Sequence, residues 1–406
     1  MSNRLKFFRE QMAAFEGTVD PRQAIESGYY LPEPRKSAAD TISRRIELRP
    51  SSTHLLIGGI GSGKTTQLLV MRDRINELED IHARYVDVSL YTDISEISAG
   101  VLIGVAGVVL TELTQDIDNE YVKKYSELIH KYAYGYSERI TVRPLLDNIS
   151  LVKALSEATE VVHQHKGILT TKSGNSIDQQ ELLQAIVQLD KAANKKYGEI
   201  ILLLDGLDRI DDVQNFSQFV TSDIQAISLA GLGIVLVGPL LASYGSYRDI
   251  IEQAVNSFSY QSCFDVDNDP DACAFFESIL KARSCEGFIE EPAIQNLIHY
   301  SGGVLRDLIN LTQASIEEAY LLDSDNVQEV HVEAAMDSFG RAKLLGVSDS
   351  ELEILEQVLS KSTFIPRTDE DIRLLVTGRI LEYRYPQRRY VVHPTLQPLI
   401  QKIQSL

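Results

Sequence analysis

The chain has 406 residues, 44% of them hydrophobic and 24% charged, the composition of folded globular domains with length for about two to four of them. Its formal charge of −19 argues against a surface that grips nucleic acid throughout, and leaves only a local basic face near the C-terminus for that role. Residues 1–15 are polar and amphipathic, not a charged head followed by an apolar run, so no secretory signal is expected and the expected compartment is the cytoplasm.

Residues 29–35 (YYLPEPR) carry two prolines and read as extended chain, followed by a helix over 38–46. Next come an apolar strand at 54–57, a glycine-rich loop and a helix from Lys64 to about Leu78. A second strand is expected at 85–90, where Val86, Val88 and Leu90 alternate. Residues 94–165 read mostly as helix. Within them 101–110 is unbroken apolar sequence, too short for a bilayer span of ~20 residues and so read as a buried helix. After a loop at 172–176, Leu182, Ile186, Leu189 and Ala193 recur at helical spacing. The runs 200–204 and 234–237 are short and continuously apolar, as suits parallel strands covered on both faces. Strands alternating with helices imply an α/β sheet with crossovers.

Past Phe264 the strand pattern stops. Residues 271–345 read as four helices, then come helices at 350–359 and 371–377. In a terminal hairpin Leu381, Tyr383 and Tyr385 alternate with Glu382 and Arg384, the chain turns at 386–388, and it returns over 390–393. Helix, helix and hairpin outline a winged helix. The expected divisions are an N-terminal segment 1–35, a core 36–266 with a helical insertion at about 94–195, a helical lid 267–348 and a winged helix 349–406. Cys263, Cys273 and Cys285 are odd in number, lack zinc spacing and read as reduced thiols. His163 and His165 read as exposed side chains and not as a metal site.

Two motifs carry chemistry. Gly58-Gly59-Ile60-Gly61-Ser62-Gly63-Lys64-Thr65 fits G-x-x-x-x-G-K-[ST] at every fixed position, between an expected strand and an expected helix. In such a loop backbone N–H groups turn inward around phosphates, Lys64 reaches the β- and γ-phosphates, and the Thr65 hydroxyl holds Mg²⁺. Thr66 continues the first turn of a helix whose N-terminus adds partial positive charge. The second motif is the apolar run Ile200 to Leu204 ending in Asp205, an acid placed to help hold the same Mg²⁺, followed by Gly206, Leu207, Asp208 and Arg209.

These residues resemble the AAA+ and STAND branch of P-loop NTPases, with an α/β P-loop NTPase core on a parallel sheet, an all-α lid and a winged helix. Asp205-Gly206-Leu207-Asp208 is similar to the NACHT-type Walker B, and Arg209 brings it nearer to KAP-type ATPases. The resemblance implies ATP and ADP with Mg²⁺ as ligands, and slow hydrolysis. Gly206 stands where most AAA+ enzymes have a glutamate that orients water, which leaves Asp208 as the candidate base, with Lys64 and Asp205 completing the catalytic set. Gly238 offers no polar group to sense the γ-phosphate. Arg306, in Ser301-Gly302-Gly303-Val304-Leu305-Arg306, resembles a lid arginine that contacts phosphate, and Arg248 is a candidate arginine finger. His393 matches a winged-helix histidine that reaches the ADP β-phosphate, with a purely structural histidine as the other reading. Tyr30, Leu31 and Pro32 occupy the place of an adenine pocket or of a plain linker.

For partners, the resemblance implies a homo-oligomer and a separately encoded effector or sensor, as in prokaryotic defence systems, with no membrane. The alternative is a DNA-associated AAA+ protein of origin-recognition or transposition-regulator type. It would use Arg373, Arg379, Arg384, Arg388 and Arg389, interleaved with Tyr383, Tyr385 and Tyr390, on the wing. A third reading is an interaction scaffold with a degenerate nucleotide site.

Overall fold

A computed structural model describes residues 3–16, 21–134, 179–245, 247–361 and 363–404. The expected loop at 172–176, His163 and His165 lie outside the described residues. The chain divides into two compact units: Ala39–Ile57 with Val70–Ser259, and Met1–Ala38 with Gly58–Leu69 and Tyr260–Leu406.

The first unit is built on a five-stranded sheet in the order β2-β3-β4-β1-β5. Its strands are β1 (Thr53–Gly58), β2 (Ile81–Asp87), β3 (Glu199–Asp205), β4 (Gly233–Val237) and β5 (Ser257–Gln261). β2 pairs in parallel with β3, β3 with β4, and β4 with β1. The unbroken apolar runs behave as expected of strands covered on both faces: β1 and β4 are buried at every position, and β3 at every position after Glu199. Leu56 pairs with Val237 and Leu204 with Leu236, so β1 and β3 end level at one carboxyl edge of the sheet.

Two strand readings need correction. β2 begins four residues earlier than its alternation suggests and ends at Asp87, whose carboxylate accepts from Ser89 N–H and Oγ and turns residues 88–90 into a 3₁₀ turn. β5 was not expected, because Ser257–Gln261 mixes polar and aromatic residues and, being the last strand at an edge, is only half-buried over most of its length.

Helices Val101–Thr114, Glu120–Tyr134 and Gln179–Tyr197 pack on one another between β2 and β3 in the chain. Residues 101–110 are all buried, as their composition demands. The N-terminus of that helix is satisfied from another element: buried Asp223 accepts from Gly100 N–H at 2.8 Å and from Leu102 N–H at 3.1 Å. Leu182, Ile186, Leu189 and Ala193 form the buried face of their helix. Among the described residues no helix is long and apolar enough to cross a membrane.

His54 on β1 shows how a buried polar group is satisfied inside this sheet. Its Nε2 lies 2.7 Å from Ser52 Oγ and its Nδ1 2.6 Å from Ser257 Oγ, at 1% exposure. Burial first, and nearby Arg45 second, pull its pKa from 6.5 down to about 4. The folded state therefore binds this proton less readily than the unfolded chain. The stabilisation is complete above pH 6.5 and is lost as pH falls toward 4, worth about 3 kcal/mol. His54→Gln keeps hydrogen-bonding capacity without the titration. It should flatten the pH dependence of melting across this window, and parallel curves for the two proteins would refute the assignment.

The second unit joins four helices, Pro270–Arg283, Glu291–Tyr300, Leu305–Leu321 and Glu329–Leu344, to the winged helix. The latter comprises helices Asp349–Lys361 and Asp369–Val376, the antiparallel pair β6 (Ile380–Tyr383) and β7 (Arg389–Val392), and a closing helix Gln397–Gln404. The N-terminal segment packs on these four helices. Helix Asn3–Phe15 buries Phe8 and Phe15 among the four helices. Arg4 closes the end of Leu305–Leu321 by donating to Ala319, Tyr320 and Ser324 carbonyls. The three cysteines are free thiols.

Candidate functional site

The glycine-rich loop closes on itself and on the helical bundle. Lys64, 6% exposed, donates through Nζ to the carbonyls of Gly58 and Gly59 at 3.0 Å each. Among the described residues, the buried Ser62 hydroxyl has no hydrogen-bond partner. An unmet polar atom inside a loop of this kind suits a ligand rich in acceptor oxygens. Thr65 and Thr66 are partly exposed in the first turn of helix Lys64–Ile75, and Ile60 points outward.

Residues 304–306 lie against this loop. A Cβ on Gly61 would fall 2.8 Å from Arg306 Cβ and 2.9 Å from Val304 Cγ1, so only glycine permits the approach. Leu305 Cδ1 comes within 3.2 Å of the corresponding point on Gly63. The Arg306 N–H donates to the Gly61 carbonyl at 3.4 Å. Its guanidinium is exposed and, among the described residues, makes no hydrogen bond or ion pair. The loop, Lys64 and Arg306 are thus brought together.

Sequence reading missed the residue that holds Tyr30, Leu31 and Pro32. Glu33 Oε1 accepts from Gln67 on the loop helix at 2.6 Å and from Gln261 at 3.0 Å. Leu31 packs on the bundle, Tyr30 is half-buried and Pro32 exposed. Only a carboxylate directly after the stretch, in a sequence with many carboxylates, marks it in advance.

In the first unit, Asp205 ends β3 buried, with Oδ2 accepting from Tyr85 OH and Oδ1 from Gly206 N–H, both at 2.8 Å. Gly206 has φ 89°, and its missing side chain would lie 3.3 Å from Asp87 Oδ1. A glutamate there would be strained and set beside a like charge, a physical reason why the acid recurs only at Asp208. Asp208 sits partly exposed in the 3₁₀ turn Leu207–Arg209. Gly238 has no room for a sensing side chain, since Leu55 and Phe216 each come within 2.7 Å of its Cβ position. Arg248 is exposed on helix Tyr247–Ala254 and pairs with Glu252 at 3.7 Å.

His393 is fully buried with both ring nitrogens engaged: Nε2 with Asp307 Oδ2 at 3.0 Å and Nδ1 with Thr395 Oγ1 at 2.8 Å. Lys343 Nζ approaches the same Asp307 oxygen at 3.1 Å. Burial lowers the His393 pKa. Asp307 is held below its ordinary value despite burial, by the His393 hydrogen bond and the Lys343 charge.

The wing arginines are all engaged within the chain. Arg389 grips Asp265, 1% exposed, through two bonds of 2.6 and 2.5 Å, separated by 124 residues in sequence. Arg384 and Arg388 both reach Glu382 Oε1 at 3.1 Å, Arg373 pairs with Glu351 at 2.7 Å, and Arg379 donates to the Lys343 and Leu345 carbonyls.

The sequence matches no family model and no curated protein. Among solved structures, the ORC2 protein of Aeropyrum pernix, determined as ADPNP–ADP complexes, is 16% identical, with 95% of this chain and 99% of that one covered at a TM-score of 0.43. The Aeropyrum pernix ORC1 protein in complex with DNA is 13% identical over 93% and 95% of the two chains, TM-score 0.43. The Thermotoga maritima RuvB Holliday junction branch migration motor is 14% identical over 89% and 92%, TM-score 0.40. Identities and scores this low transfer no activity, partner or residue role.

Proposed function

We propose that this chain is a slow, magnesium-dependent ATPase of the AAA+ kind, whose nucleotide state switches its own assembly or the activity of a partner. The observation that carries the reading is Arg306 lying over Gly61 of a complete phosphate-loop motif, with the buried Ser62 hydroxyl unmet beside Lys64. Gly58, Gly59, Ile60, Gly61, Ser62 and Gly63 would wrap the phosphates with backbone N–H groups, Lys64 and Arg306 would neutralise their charge, and Thr66 would extend the same turn. By their places in the two sequence motifs, the Thr65 hydroxyl and the Asp205 carboxylate would be the oxygen ligands suited to Mg²⁺, which would polarise the terminal phosphate. Tyr30, Leu31 and Pro32, pinned by Glu33, would flank the base.

Asp208 would orient the attacking water, and the absence of an acid at Gly206 favours slow turnover. Asp208→Asn should cut phosphate release about a hundredfold while leaving ATP affinity within about twofold. An unchanged rate removes Asp208 from the reaction, and no ATP-dependent release from either protein contradicts the ATPase reading.

A self-assembling switch working with a separately encoded effector or sensor is the version favoured here over a DNA-associated one. DNA binding through the wing would have to draw on Arg384, Arg388 and Arg389, each of which holds a carboxylate of this chain. That reading requires a salt-dependent shift of duplex DNA, lost on Arg388→Ala with Arg389→Ala.

A further inference from the structure

The segment from Ser301 to Asp307 has two working faces. Toward the loop it presents Val304, Leu305 and Arg306, as described above. Toward the winged helix it presents Gly302, whose carbonyl accepts from the buried Tyr383 hydroxyl at 2.8 Å and whose Cβ position lies 2.5 Å from Leu381 and 3.0 Å from Pro394. One residue past Arg306, Asp307 takes the His393 hydrogen bond and the Lys343 ion pair in a site with almost no solvent. Arg306 and Asp307 share the first turn of helix Leu305–Leu321, so neither backbone moves without the other.

We infer that Asp307 is a positioning residue: by anchoring that turn to His393 of the winged helix and to Lys343, it sets where Arg306 stands over the phosphate loop. The inference rests on the nucleotide reading of the loop. The winged helix then acts on the site through Asp307, and His393 contributes as Asp307's partner. Reciprocity follows, because a phosphate that draws on Arg306 must also bias the docking of the winged helix.

The carboxylate has no substitute within its cluster. Thr395 already engages the far side of the imidazole, and Lys343 without Asp307 would be a cation beside a neutral histidine. Asp307→Asn keeps the shape and removes the charge. Tyr383→Phe removes only the hydroxyl that reaches Gly302, at the other end of the same contact.

The test combines hydrogen exchange over residues 380–393 with the affinities of ATP and ADP for wild type, Asp307→Asn, Tyr383→Phe and Arg306→Ala. In wild type, exchange over 380–393 should differ between ATP and ADP, and Arg306→Ala should lose about tenfold of ATP-over-ADP preference. Asp307→Asn and Tyr383→Phe should raise exchange over 380–393 and lose preference toward the Arg306→Ala value, with ADP affinity within about twofold. If they loosen the winged helix and the preference stays at the wild-type ratio, Asp307 is structural only and the inference is wrong. Should Asp307→Asn fail to fold by circular dichroism, Tyr383→Phe decides alone. Failure of wild type to bind either nucleotide would overturn the loop reading itself, a result distinct from binding without coupling.

Discussion

Lys64→Ala should weaken ATP binding by roughly a hundredfold, about 3 kcal/mol, with the fold intact. Lys64 is 6% exposed and its ammonium is held over the loop by the Gly58 and Gly59 carbonyls, so it is pre-positioned and needs little reordering to meet an anion. Charge-assisted bonds to phosphate are the stronger kind, and no other lysine lies in the loop motif to replace it. Titration of a fluorescent ATP analogue into both proteins measures this directly. Equal affinities would instead describe an interaction scaffold whose loop no longer handles nucleotide.

Gly303→Ala should be the most damaging glycine-to-alanine change in the second unit, since its Cβ position makes the closest approach among them. Gly303 has φ 69°, which costs an alanine about 1–2 kcal/mol, and its Cβ position lies 1.6 Å from the Phe264 carbonyl oxygen. No side-chain rotation relieves a clash between backbone atoms, and the Phe264 N–H to Gly303 carbonyl bond at 3.0 Å would break as the strands of chain part. The expected loss is about 4 kcal/mol or more, read as a lowered melting transition. Gly346→Ala is the control, with φ 76° and nothing within 4 Å of its Cβ position, and should cost only about 1 kcal/mol. Similar losses in the two variants would mean that conformation alone, and not the contact with Phe264, accounts for Gly303.

What was legible beforehand follows from the range of the forces involved. The helix carrying Leu182, Ile186, Leu189 and Ala193, the continuous strands β3 and β4, and the phosphate-loop motif are written in local spacing, and the structure has those elements. β5 carries a mixed pattern because an edge strand needs no fully apolar sequence, and β2 was displaced because Asp87 stops the strand by capping its own turn. The partners in the candidate site were the least legible part. Asp265 with Arg389, and Asp307 with His393, are pairs 124 and 86 residues apart, and nothing in the spacing of either residue names the other. The wing shows the same limit from the opposite side. Its arginines read as a basic face for phosphates, whereas folding turns them to Glu382, Asp265 and Glu351. A run of like charges in sequence is a property of the surface only after its internal partners have been found.

The most direct test of the switch is the mass of the 45.4 kDa chain in solution, by light scattering with ATP, with ADP and with neither, on wild type and Asp208→Asn. ATP should raise the mass, ADP should not, and Asp208→Asn should hold the ATP state after wild type has relaxed. A mass that stays the same in all three conditions, for a protein shown to bind ATP, would contradict nucleotide-controlled assembly.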